Sequence, residues 1–295
     1  MEFEINEDHL IPIESGQAVG RGWTARTDNE PKGVTWHWTA TYDLETCRKL
    51  LGGANALRKG EASAHYGVGR SFEEGVDRYV TLENRSWHAG VNQILRWDGL
   101  KSNSYTKGSR ACVGVETINI GYARDGVPAD NDWIEAADTN GRWIMKVQPW
   151  TEEQFQMMVY VGREIIQRWP HIEYRDHHGH HDICPGYKQD VVGFDFARLL
   201  RLIYDDISIP DVWSRLWLPV YRQRALLALG YYLGPMGDDG YWGDYSQNAL
   251  LQFQDDHSEV TTGYWTTFTN WDIHDALNAN GYSIEEAVGF EGQYG

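Results

Sequence analysis

The sequence predicts an α/β protein: a mixed central sheet flanked by helices, followed by a small three-helix C-terminal unit. Three observations support this. Short apolar runs of strand length alternate with helix-period segments between residues 33 and 205. One of those segments carries both a start signal and a stop signal for a long helix. Beyond residue 210 the composition changes, since Lys disappears and three short helical patterns follow.

Residues 1–32 are polar and turn-rich and read as an irregular arm. Residues 34–38 read as a buried strand. Residues 45–59 read as a helix with Leu50, Leu51 and Leu57 inward, and residues 65–68, 78–82 and 112–118 as strands. Residues 121–150 carry scattered Gly, Asp, Asn and Pro, which predicts a loop or flap beside the site. Thr151 and Gln154 form a capping box, because each side chain can satisfy the other residue's free backbone N–H. The stripe Phe155, Met158, Val159, Gly162, Ile165, Ile166 and Trp169 then runs to Pro170, which cannot continue a helix. Residues 196–205 give another helix and residues 207–211 a linker. Residues 221–232, 246–257 and 266–278 give the three C-terminal helices, with a turn at 234–240. The expected division is residues 1–206, a linker at 207–214, and a unit at 215–295.

The chain has 295 residues, enough for two domains, and 41% hydrophobic content with 14 Trp and 17 Tyr can fill real cores. No run of about 18 apolar residues exists, so no membrane span is expected. The acidic N-terminus lacks the apolar stretch of a signal peptide. Cys47, Cys112 and Cys184 are odd in number and form no CxxC pair, which fits a reducing compartment rather than a disulfide framework. The net charge is −17, and residues 211–295 hold three Arg against twelve acidic side chains. Such a balance disfavours nucleic acid, so a polymer bound here must be held by aromatics and hydrogen bonds.

The chemistry concentrates in residues 179–190. His180 and Asp190 are ligand types suited to zinc, and Lys188 between them can steady a developing negative charge. His37, at the end of a buried strand, offers a third ligand. Three protein ligands leave a fourth position open, the arrangement of a catalytic zinc. Residue types alone leave alternatives. A histidine more often fills a structural role. His177, His178, His180 and His181 could form a metal patch of their own, and Cys184 could compete as a ligand. Glu116 lies on an apolar strand, where a carboxylate is costly without a partner.

Five blocks occur in order over residues 33–200: Trp36-His37-Trp38-Thr39, Ser63-Ala64-His65-Tyr66, Trp87-His88-Ala89-Gly90, Val113-Gly114-Val115-Glu116, and Gly179-His180-His181-Asp182-Ile183-Cys184-Pro185 with Lys188 and Asp190. Together they resemble the type 2 N-acetylmuramoyl-L-alanine amidases, a family of zinc enzymes. The resemblance implies zinc ligation by His37, His180 and Asp190, with Glu116 as general base and acid and Lys188 as oxyanion stabiliser. His65, Trp87 and His88 are expected at the substrate cleft, with a packed turn that holds the sheet as the equal alternative for Trp87 and His88. The chain departs from the family pattern at Val191, often proline, at Tyr187, an arginine in some members, and at Ala64, a catalytic tyrosine in some. The Glu116 form of the mechanism therefore fits better than the tyrosine form.

Residues 215–280 resemble the type 1 peptidoglycan-binding domain, through Leu229-Gly230-Tyr231-Tyr232-Leu233-Gly234-Pro235, Asp239-Gly240-Tyr241-Trp242-Gly243 and Ala249-Leu250-Leu251-Gln252-Phe253-Gln254. Tyr241, Trp242, Tyr245, Trp265 and Trp271 are candidates for stacking on sugars, though several must form the core. The two resemblances imply a zinc amidase that cuts bacterial peptidoglycan between N-acetylmuramic acid and L-alanine; a monomer is expected, though the sequence itself does not fix the oligomeric state. A phage endolysin, held in the host cytoplasm until the membrane is breached, fits this plan. A cell-wall recycling or remodelling amidase is the alternative with the same chemistry. A recognition protein that binds without cutting is the alternative from another class. Removal of residues 211–295 is expected to spare activity on small muropeptides and to weaken wall binding.

Overall fold

A computed structural model describes residues 3–11, 23–26, 30–52, 62–89, 93–95, 100–102, 107–258 and 261–289. The first half contains β1 (Ile5–Asn6), β2 (Trp23–Ala25), β3 (Gly33–Trp38), α1 (Leu44–Leu51), β4 (Tyr66–Val68), β5 (Val76–Arg78) and β6 (Asn84–Ser86). Next come β7 (Gln93–Leu95), β8 (Leu100–Ser102), α2 (Lys107–Ala111), β9 (Cys112–Thr117), β10 (Ile134–Ala137), β11 (Ile144–Val147) and α3 (Glu152–Arg168). Then follow β12 (His177–Gly179), α4 (His180–Ile183), α5 (Phe196–Tyr204), α6 (Pro219–Ala228), α7 (Asp244–His257), α8 (Thr267–Ala279) and α9 (Ile284–Val288).

The central sheet runs β1-β5-β4-β9-β3-β12. Strands β4, β9, β3 and β12 are parallel, β5 is antiparallel to β4, and β1 is parallel to β5. The mixed sheet with flanking helices is the fold class that the sequence predicts. All six residues of both β3 and β9 are buried, as expected for strands covered on both faces. Val34, Trp36, Val113 and Val115 pack with Met158, Val161 and Ile165 of α3 and Leu199, Leu200 and Ile203 of α5. The opposite side of these strands carries Thr35, His37, Gly114 and Glu116, because side chains alternate along a strand. α3 begins with the expected Thr151–Gln154 capping box.

Three regions differ from the sequence reading. The N-terminal arm is partly ordered: β1 joins the sheet edge on β5, and β2 pairs with β6. The segment 121–150 contains a hairpin, β10 with β11. Met145 and Val147 alternate inward against outward Ile144 and Lys146, but four residues per strand is too short a pattern to outweigh the surrounding turn residues. The linker is not free, since Ile209, Val212 and Trp213 are buried in the main core. The first helix ends at Leu51; residue Leu57 lies outside the described residues.

The C-terminal helices occur where periodicity places them, with α9 in addition. They pack around Leu226, Phe253, Trp271, Leu277 and Val288, and this cluster is continuous with the core of the sheet. Phe196 of α5 meets Trp213, and Trp213 meets Trp271 edge-on at 4.8 Å between centroids. Backbone hydrogen bonds join Ala137 N–H to Trp217 O and Trp265 N–H to Thr139 O, both 2.8 Å. Arg222 of α6 is buried and donates to Asp138 O at 2.9 Å and Leu216 O at 2.9 Å. No helix among the described residues is long and apolar enough to cross a membrane.

Candidate metal centre and active site

The site lies at the carboxyl ends of the parallel strands, where open α/β sheets bind their ligands. His37 is on the last turn of the pleat of β3, and its register partner on β9 is Glu116. β12 pairs alongside β3 and ends at Gly179, opposite Trp36. The chain then turns into α4, whose first residue is His180. The backbone N–H of His181 donates to Asp190 O at 2.6 Å, which folds the later loop back over α4.

His37, His180 and Asp190 are brought together. Asp190 Oδ2 is 3.0 Å from His37 Nδ1 and 3.1 Å from His180 Nδ1, and the three are buried. One ligand atom from each lies within 4.8 Å of the others, the grouping of His, Cys, Asp and Glu among the described residues that could hold a metal ion. Cys184 is outside it. Burial, with Asp190 adding to the effect, pushes its thiol up to about 12, so it remains protonated.

A chain of hydrogen bonds sets the protonation of His37. A carbonyl can only accept, so His88 Nε2 donates to Cys112 O at 3.3 Å. The Nδ1 of neutral His88 then accepts from His37 Nε2–H at 3.0 Å. That leaves His37 Nδ1 as a bare lone pair facing the Asp190 carboxylate. Two acceptors 3.0 Å apart repel unless a cation or a proton lies near both. The donor set and its second-layer partner therefore fit zinc. Burial, followed by the nearby His180, lowers the His37 pKa to about 4 despite Asp190, so the neutral form, the one able to bind a metal, persists at neutral pH. His88 is also held well below its usual range by burial and by the neighbouring histidines.

Asp190 is pulled upward by burial, but the charge and hydrogen bond of His180 outweigh this and hold it well below the usual carboxylate range. Glu116 lies 4.0 Å from His37 Nδ1. Burial, then the charge of Asp190, raise its carboxyl well above the usual range, while Lys188 pulls it back. Lys188 is half-buried on the loop before Asp190, with its ammonium 5.3 Å from the Tyr187 ring centroid.

The remaining sequence candidates take other positions. His65 is fully buried, receiving Gly114 N–H and Ser86 Oγ–H on Nδ1 and donating from Nε2 to Asn84 O. It ties β4, β6 and β9 together, so its assignment to the substrate cleft is corrected to a structural one. His88 is likewise buried and acts on His37 instead of facing a cleft. Its ring lies on Gly114, where a Cβ would come within 2.3 Å, so the glycine of that strand makes room for it. Trp87 is half-buried and donates to Thr24 Oγ1. Gly90 lies outside the described residues. His177 accepts from Trp36 Nε1–H and His178 Nε2 contacts Thr35 Oγ1, so the four neighbouring histidines do not form a joint patch. Trp242, Trp265 and Trp271 are core residues, whereas Tyr241 and Tyr245 are exposed, as is Tyr232. Sequence reasoning gave no role to Asp182, although its place at the third helical position after the Gly179 N-cap is a capping signal.

Residues 27–190 match the family model described as N-acetylmuramoyl-L-alanine amidase, a span of more than half the chain. The chain belongs to this family. It is thus an amidase, a hydrolase of peptidoglycan. No curated protein matches this amidase in sequence. Among solved structures it is similar to the amidase AmiD from E. coli, in complex with an anhydro-N-acetylmuramic acid peptide. The identity is 20%, with 87% of this chain and 92% of that chain covered and a TM-score of 0.49. It is also similar to AmpDh3 from Pseudomonas aeruginosa, in complex with an anhydromuramic pentapeptide, at 20% identity, 87% and 94% coverage, and a TM-score of 0.45. A mutant endolysin from Bacillus subtilis is similar at 15% identity, 68% and 99% coverage, and a TM-score of 0.39.

Proposed function

We propose that this amidase uses zinc held by His37, His180 and Asp190 to hydrolyse the amide between the lactyl group of N-acetylmuramic acid and L-alanine. The observation that carries the reading is the convergence of these three side chains beside Glu116. Zinc in an open three-ligand site supplies Lewis acidity. The protein supplies the rest. Ionised Glu116 takes a proton from the attacking water and returns it to the departing amine of L-alanine. Its raised pKa suits both halves of that exchange, since a strongly acidic carboxyl would not accept the proton. Lys188 places positive charge on the same face, where an oxyanion develops. Asp190 balances the charge of the centre, and the buried histidines exclude bulk water from one side.

The reading extends to biology. An amidase joined to a helical unit with exposed Tyr232, Tyr241 and Tyr245 fits an enzyme that works on intact wall, as a phage endolysin does, after release from the host cytoplasm. The helical unit would hold the enzyme on peptidoglycan and raise the local substrate concentration.

The test is a digest of purified peptidoglycan with and without a zinc chelator, read by mass spectrometry for new N-terminal L-alanine. Expected are alanine amino ends that vanish with chelator and return with zinc. No cleavage of several wall types by zinc-loaded protein would turn the reading toward a non-catalytic recognition protein. A strong preference for soluble anhydromuropeptides over intact wall would favour the recycling role.

A further inference from the structure

Asp182 is fully buried, two residues after His180. Its Oδ2 accepts the backbone N–H of Gly179 at 2.7 Å, closing the turn from which His180 projects. Its Oδ1 accepts the backbone N–H of Thr267 at 2.7 Å, across 85 positions of sequence. Thr267 is the first residue of α8, so that N–H is one of the donors a helix start leaves unpaired. The carboxylate therefore joins the ligand-bearing turn to the C-terminal helical unit through two charge-assisted hydrogen bonds, which are stronger than neutral ones. His181 Nε2 lies 3.3 Å from the same Oδ1. Further ties surround this bridge: Gly186 N–H donates to Thr139 Oγ1 at 3.0 Å, and Thr139 O accepts from Trp265 N–H. Arg175, just before β12, forms a two-pronged ion pair with Asp275 of α8 at 2.6 and 2.9 Å.

We propose that Asp182 is a positioning residue for the metal centre, and that α8 of the C-terminal unit sets the ligand geometry through it. The C-terminal unit is then a built-in part of the catalytic centre as well as a wall-binding unit. The inference rests on the reading that His37, His180 and Asp190 hold zinc. A ligand turn fixed at only one of the two carboxylate oxygens can rotate, and loss of outer partners of this kind typically lowers metal affinity by about 10- to 100-fold.

Thr267→Pro in the full chain removes this N–H from the helix start. Proline suits the first helical position, and Thr266 before it is already extended at φ −119° and ψ 172°. Because Thr267 Oγ1 also accepts from Trp213 Nε1–H, Thr267→Val, which keeps the N–H, is the matched reference. Zinc affinity is measured by competition with a chromophoric chelator, and ligand geometry by the visible spectrum of the cobalt-substituted protein. Expected is at least a roughly tenfold weaker zinc affinity for Thr267→Pro than for Thr267→Val, with an altered cobalt spectrum. Equal affinity and equal spectra in the two variants would overturn the inference. Should Thr267→Pro fail to fold, Asp182→Asn, which keeps one acceptor and loses the charge, must weaken zinc binding in a folded protein; unchanged binding there also overturns it. Wild-type protein that takes up no zinc would instead bring down the metal reading itself. A lowered melting temperature with unchanged zinc affinity would mark Asp182 as merely structural and likewise overturn the proposal.

Discussion

His37 and Glu116 are register partners on adjacent parallel strands, with His37 Nδ1 and Glu116 Oε1 4.0 Å apart. The strand pairing alone thus places the proposed metal ligand and the proposed proton-transfer group on one face, at one level. Neither side chain needs a mobile loop to reach the other.

Glu116→Gln should keep the fold and the bound zinc while turnover falls by about 10²- to 10⁴-fold, the usual worth of a general acid–base group. Zinc stoichiometry measured beside kcat separates this from loss of the metal. Full activity in the variant would remove Glu116 from the mechanism.

The pH profile follows from the same residue. Burial and the Asp190 charge raise the Glu116 carboxyl, so it becomes an ionised base only above the usual glutamate range. The acid limb of kcat/KM should therefore lie above that range. A limb at the ordinary glutamate position would mean that another group controls the rate.

His180→Ala should lose zinc and activity together, as should His37→Ala. His88→Ala should retain all three ligands yet weaken zinc binding by about 10- to 100-fold, because His37 loses the partner that fixes its tautomer. A direct titration with zinc distinguishes these outcomes, and unchanged affinity in His88→Ala would contradict the hydrogen-bond chain.

Acid should destabilise the fold from near pH 6.5 downward. Burial holds His65, His177 and His178 at about 3 in the folded chain, against 6.5 for a solvated imidazole. Their folded values lie below the unfolded one, so the unfolded chain binds the extra protons first. Stability is complete above pH 6.5 and falls as pH drops toward 3, by up to about 1.4 kcal/mol per unit for each histidine. Urea midpoints of metal-free protein at pH 7.5 and 5.0 test this, and equal midpoints would contradict it.

Removing residues 211–295 should destabilise the sheet domain, contrary to the expectation from sequence that it stays intact. Truncation would strip Trp213, Arg222, Trp265 and Trp271 from a continuous core. Even Trp271→Ala alone should cost about 3–5 kcal/mol, as for other buried aromatics. Thermal unfolding should show one transition in the full chain. A truncated protein with an unchanged melting temperature would show that the two parts are separable.

The sequence by itself determined the fold class, the main helices and strands, and the ligands proposed for the metal. Those features rest on local signals: apolar period, the Thr151–Gln154 capping box, and ordered short blocks around His37, Glu116 and His180. Only the tertiary structure decided what His65 and His88 do, because hydrogen-bond partners such as Cys112 O and Asn84 O leave no mark on a linear pattern. The same holds for the apparent linker, whose short length hides that Ile209, Val212 and Trp213 are buried, and for Asp182, whose second partner lies 85 positions away. Periodicity reports which face of an element turns inward. Which element then covers that face is set by long-range packing, and here that packing joins the C-terminal helices to the turn that carries His180.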